Sequence, residues 1–139
     1  MRALFDVNVL IALLDEEHVN HQKIRAWLEA ERDFGWASTP ITQAGYARVV
    51  SSPKYPGGLS TPAALAAIAH ATTTAYHEFW PDSLPLAALN SKYVLGPKQI
   101  TDAYLLAVAI ANAGRLVTFD RNINVKSVPG ARSHHLEVI

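Results

Sequence analysis

Apolar runs too short to be helices alternate along this chain with longer stretches of helical periodicity, and that alternation leaves few folds open. Arg2-Ala3-Leu4-Phe5 stops at Asp6, and Arg115-Leu116-Val117-Thr118-Phe119 stops at Asp120. Trp36-Ala37-Ser38, Tyr76–Trp80 and Leu136–Ile139 also have strand-like length. Between them the spacing predicts helices over Asn8–Leu14, Asn20–Glu31, Ile41–Val50, Ala63–Ala71 and Asp102–Ala113. Short apolar strands separated by helices form a parallel sheet covered on both faces. The expectation is a three-layer α/β/α fold with a central, mostly parallel sheet of four to five strands, residues 1–139 making a single domain.

Local signals set the element ends. Thr39-Pro40 starts one helix, Ser60 and Thr61 with Pro62 start the next, and Thr101 is expected to cap the last. That last helix is apolar almost all round, which predicts burial, and Gly114 is expected to stop it. Ser51–Gly58, with two Pro and two Gly, is the clearest loop.

Half of the residues are apolar, so a core forms without staples, and the absence of Cys removes disulfides, zinc–thiolate sites and Cys nucleophiles. Lys+Arg and Asp+Glu are both 12, which argues against a globally basic nucleic-acid binder. Acids are concentrated at the start: residues 1–35 contain Asp6, Asp15, Glu16, Glu17, Glu29, Glu31 and Asp33. Those that occur later carry more weight. Asp6 and Asn8 interrupt the first apolar stretch before a signal-peptide core can form, and no run spans a bilayer. The expectation is a cytoplasmic protein with no membrane contact.

In a parallel α/β sheet, strand carboxyl ends and helix amino ends share one edge, where ligands bind. Asp6 and Asp120 each end a strand, and Asp102 is expected at a helix amino terminus, so topology can gather the three. Singly, each has an ordinary role as a turn, cap or helix-dipole residue. Together they would repel unless they took up protons or a cation. With oxygen donors alone that cation is hard, Mg²⁺ or Mn²⁺. Such a site suits in-line attack of water on a phosphodiester, which needs no protein nucleophile.

Leu4-Phe5-Asp6-Val7-Asn8-Val9-Leu10, Thr101-Asp102-Ala103-Tyr104-Leu105-Leu106-Ala107 and Leu116-Val117-Thr118-Phe119-Asp120 resemble the PIN-domain signatures of VapC-type toxins. The similarity extends over nearly the whole chain, through His18, the Trp27-Leu28 helix and the His77-Glu78-Phe79-Trp80 segment. It implies a PIN-like fold and a metal-dependent endoribonuclease from a toxin–antitoxin pair, restrained by a VapB-type antitoxin and forming a homodimer. It also implies that Asp6, Asp102 and Asp120 bind the metal and carry catalysis. Gln43 departs from the pattern, since many PIN domains carry Glu there. A site with one charge fewer is expected to bind metal more weakly, or only one ion.

Asn8, Gln43, Thr118 and Asn122 are candidates to orient the carboxylates; turn and cap chemistry is the ordinary alternative for the two Asn. Arg48 and Arg121 lead the candidates for RNA contact, followed by Lys54, Arg115, Lys126 and Arg132, with Tyr46 and Tyr55 as stacking surfaces. His18 and His21 beside Asp15, Glu16 and Glu17 suggest a metal cluster only superficially. An extended His134-His135 would point its rings apart. Trp27, Trp36 and Trp80 read mainly as core. A haloacid-dehalogenase-like phosphatase needs a second acid where Asn8 stands, and a receiver domain needs an acid pair at the first strand. The remaining alternative is a catalytically weak PIN-like module that binds RNA or antitoxin.

Overall fold

The computed structural model describes residues Met1–Ile139. Five strands, β1 (Ala3–Phe5), β2 (Trp36–Ser38), β3 (His77–Phe79), β4 (Arg115–Thr118) and β5 (Leu136–Val138), form one sheet in the order β3-β2-β1-β4-β5. Every neighbouring pair is parallel. The helices are α1 (Val7–Leu14), α2 (His21–Glu31), α3 (Pro40–Val50), α4 (Thr61–Ala71) and α5 (Lys98–Ala111).

Alternation along the strands divides the core in two. Ala3, Phe5, Trp36 and Val117 point to one face, where they meet α1, α2, α3 and α4. Leu4, Ala37 and Leu116 point to the other, against α5 and Trp80. Both faces of the central strands are therefore covered, which explains why β1 has no polar position. The three-layer expectation holds.

The last helix differs at both ends from its sequence reading. It starts at Lys98 after Pro97, so Thr101 lies inside it and caps nothing, and Asp102 sits one turn in. Pro97 fits a helix start, and the residues after it are adequate helix formers that Thr101 does not interrupt. At the far end Ala113, not Gly114, adopts the left-handed conformation, with φ 55°. Gly114 is required for space instead: a Cβ there would lie 2.5 Å from the Trp80 ring and 2.7 Å from the Arg2 carbonyl oxygen. Burial is as expected, continuous from Ala103 to Ala109.

Candidate active site

The strand order reverses direction on either side of β1, and at that switch the carboxyl ends of β1 and β4 lie side by side. Asp6 follows β1 immediately. Its backbone N–H donates to the Val117 carbonyl at 3.3 Å, which carries the β1–β4 pairing one residue beyond the strands and sets Asp6 against Thr118. Asp6 also caps α1, where its Oδ1 accepts from the Val9 N–H at 2.8 Å. The Thr118 hydroxyl donates to its other oxygen, Oδ2. The same hydroxyl accepts the Asp120 backbone N–H at 3.0 Å. Thr118 thus joins two of the three carboxylate positions through one oxygen.

The third carboxylate arrives from the opposite layer. Asp102, on α5, feels the charges of both Asp6 and Asp120. Partial burial, then those two charges, push its carboxyl up to about 6. Asp6 is only 4% exposed. Burial raises its pKa, opposed by the hydrogen bonds from Thr118 and Val9 and assisted by the charge of Asp120. The fold therefore brings Asp6, Asp102 and Asp120 to one rim, as their sequence positions suggested.

Every donor that converges here is oxygen, the set a hard divalent ion takes. Asp6 is held by two donors, with lone pairs to spare, and the mutual repulsion around Asp102 is relieved by positive charge. No three His, Asp or Glu side chains are drawn close enough to enclose an ion unaided.

The smaller polar residues take different parts. Asn8 is exposed, and what it gives Asp6 is its backbone N–H. Asn122 does the same for Asp120, its N–H donating to Oδ1 at 2.7 Å. Both behave as turn residues, with roles carried by main chain. Gln43 lies in the first turns of α3, which Thr39 and Thr42 open with a reciprocal capping box. Its Nε2 donates to Ser38 Oγ at 2.9 Å, and that oxygen lies 2.8 Å from His77 Nε2. Nothing local in the sequence marks Ser38 and His77 as supports for Gln43; the signal lies only in the parallel register that sets β3 beside β2.

Residues 3–128 match the family model described as PIN domain. Ribonuclease VapC44 of Mycobacterium tuberculosis is 51% identical over the whole of both chains. Ribonuclease VapC39 of the same organism is 45% identical over 86% of this chain and 89% of its own. The chain belongs to the PIN-domain family. Among solved structures, VapBC2 from Rickettsia felis, bound to a DNA fragment from its promoter, superposes with a TM-score of 0.61 over 99% of this chain and 98% of the other. At 17% identity that likeness establishes the fold alone.

Within this PIN domain several candidates for RNA contact are reassigned. Arg115 is a structural cation: it pairs with Glu137 at 2.7 Å and Glu31 at 2.8 Å, and its guanidinium lies 5.2 Å from the Trp27 ring centre. It opens β4, at the sheet edge opposite the carboxylates. Arg48 is exposed in the last turn of α3, so the helix carries it away from the edge where Gln43 stands. Tyr46 is 2% exposed and therefore core, and the Tyr55 hydroxyl is committed to Asp15. Arg121 directly follows Asp120 in the chain and is exposed. His21 is fixed to the Ala12 carbonyl at 2.8 Å. The His134 and His135 rings lie side by side, 4.0 Å between centres, because Ser133–His135 is a 3-10 turn rather than extended chain. No helix is long and apolar enough to cross a membrane.

Proposed function

We propose that this PIN domain is the toxin of a toxin–antitoxin pair, an endoribonuclease that hydrolyses RNA phosphodiester bonds with Mg²⁺ or Mn²⁺. The observation that carries the reading is the convergence of Asp6, Asp102 and Asp120, from two strand ends and the opposite helical layer, on one rim where their charges act on each other. The identity to ribonucleases VapC44 and VapC39 supports the activity. A VapB-type antitoxin as partner is supported by the VapBC neighbour's fold, and a homodimer is proposed with it.

Asp6, Asp102 and Asp120 would hold the ion, which when bound neutralises phosphate charge and acidifies water. Asp6 needs no reorganisation to do so, because α1 and Thr118 hold both its oxygens. Asp102 must first lose its proton, which couples ion binding to pH near 6. Thr118 keeps Asp6 and the Asp120 main chain in fixed relation. Arg121 is placed to meet phosphate charge at the rim. Gln43, tied to Ser38, contributes no charge.

The test is cleavage of single-stranded and structured RNA by the purified protein with Mg²⁺, Mn²⁺ or EDTA. Cleavage that requires metal and is lost in Asp6→Asn supports the enzyme. Equal cleavage by Asp6→Asn would overturn it, and metal-independent RNA binding without cleavage would favour a binding module.

A further inference from the structure

We propose that Lys92, Tyr93 and Lys126 form a docking ledge for single-stranded RNA on the segments that adjoin Asp102 and Asp120 in the chain, two ammonium groups taking phosphate and the aromatic ring taking a base. The proposal rests on the ribonuclease reading and extends it to how substrate is held. Two 3-10 turns build the ledge, Ser91–Tyr93 and Val125–Ser127. Each is fixed by an asparagine: Asn90 Oδ1 accepts the Lys92 N–H at 3.3 Å, and Asn124 Oδ1 accepts the Lys126 N–H at 2.9 Å. The Asn90 N–H then donates to the Ser127 carbonyl at 2.8 Å, locking the turns together.

This arrangement places Lys92 Nζ and Lys126 Nζ each 5.7 Å from the centre of the Tyr93 ring. Both lysines are exposed, and neither takes part in any of the ion pairs, which use Arg2, Arg32 and Arg115. The ring quadrupole attracts each ammonium, so one aromatic side chain gathers two cations that no carboxylate neutralises. A base stacking on Tyr93 would turn an ammonium onto the adjoining phosphate, the pairing that single-strand binding surfaces use.

Position gives the ledge its occupant. Residues 83–101 and 121–136 contain Lys92, Lys98, Arg121, Lys126 and Arg132 and not one Asp or Glu, although the chain as a whole is neutral. The first segment runs directly into Asp102, and the second begins directly after Asp120. A polyanion brought to three carboxylates is repelled there, so the attraction must come from flanking surface. The segments that carry the carboxylates into place supply it.

The experiment measures binding of a fluorescein-labelled single-stranded RNA by anisotropy across a salt series, in the Asp6→Asn background so that the probe stays intact. Replacing Lys92 and Lys126 together by Ala should weaken binding and make the slope of log Kd against log salt shallower by about 1.4, since each single-strand phosphate left unneutralised accounts for about 0.7. Tyr93→Ala should weaken binding about tenfold, while Tyr93→Phe, which keeps the ring, should not. Melting curves confirm that these surface variants fold. Unchanged Kd and slope in the lysine variant overturn the ledge, as does a variant that stops binding an acidic peptide while RNA binding stays intact. If the wild-type protein cuts RNA and the ledge variants bind as their parent does, only this proposal falls; if it neither cuts nor binds RNA, the ribonuclease reading falls first.

Discussion

Replacing Asp102 by Asn should make the metal-free protein more stable at neutral pH while removing its response to divalent ions. In the folded protein the Asp102 carboxyl titrates near 6, against an ordinary value of 3.8 that the unfolded chain retains. The gap of about two pH units corresponds to about 3 kcal/mol, at roughly 1.36 kcal/mol for each. Because Asp102 is only partly buried, solvent screening reduces this to about 1–2 kcal/mol. The sign follows from proton counting. The folded state holds its proton to higher pH than the unfolded state, so stability is fully present below about pH 4 and is lost as pH rises through about 6. Asn carries no charge at any pH and never meets that cost. Wild type and Asp102→Asn should therefore melt together at about pH 4 in EDTA, with the variant about 3–8 °C higher at about pH 8. Adding Mn²⁺ at the higher pH should raise the wild-type melting temperature and leave the variant nearly unmoved, since only a folded state that binds ion gains from it. A variant no more stable than wild type at the higher pH, or a gap of equal size at the lower, would show that burial and the other two carboxylates do not raise the Asp102 pKa in the folded protein.

The same electrostatics predict that RNA cleavage rises with pH through about 6 as Asp102 gives up its proton; a pH–rate profile flat from about 5 to about 8 would contradict it. Thr118→Val removes a donor from the buried Asp6 carboxylate, so stability should fall by about 1–3 kcal/mol in chemical denaturation, with cleavage falling further than stability explains. Gln43→Glu adds a carboxylate and should tighten Mn²⁺ binding in calorimetric titration; unchanged affinity would place residue 43 outside the ion's reach. Arg115→Ala should cost about 1–2 kcal/mol by leaving Glu31 unpaired, removing one of the two partners of Glu137 and baring Trp27, yet leave RNA affinity unchanged.

The middle of the sheet is legible in the sequence because its signal is local: β1 and β4, buried on both faces, read as mainly apolar runs, and each run stops at an Asp. The carboxylate rim is legible for a related reason, since parallel topology places every strand end on one edge whatever the loops do. What escapes is what depends on contacts between distant segments. Arg115 looks like a free cation in sequence, and only the pairing of β4 with β5, together with the docking of α2, sets Glu137, Glu31 and Trp27 around it. Arg48 lies five residues after Gln43 and reads as near the site, but the axis of α3 carries it about 7 Å further from the strand ends. The start of α5 is hidden because Thr101 has the chemistry of a cap, whereas the helix has already begun after Pro97.

Gly45 shows how such non-local constraints reach the site. Nothing around it in sequence demands glycine, and it sits inside a helix, where glycine is costly. A Cβ there would lie 2.5 Å from Val7 Cγ2, so its absence lets α3 close against the first residue of α1. Val7 directly follows Asp6, and α1 begins with the N–H groups that hold the Asp6 carboxylate. Gly45→Ala should therefore do more than overpack the core at about 1–3 kcal/mol. By shifting the start of α1 it should weaken ion binding as well, whereas an equally destabilising change in the distant α4, such as Ile68→Ala, should leave ion affinity per folded molecule unaltered. Equal ion affinity in the two variants would mean that α1 holds Asp6 without help from α3.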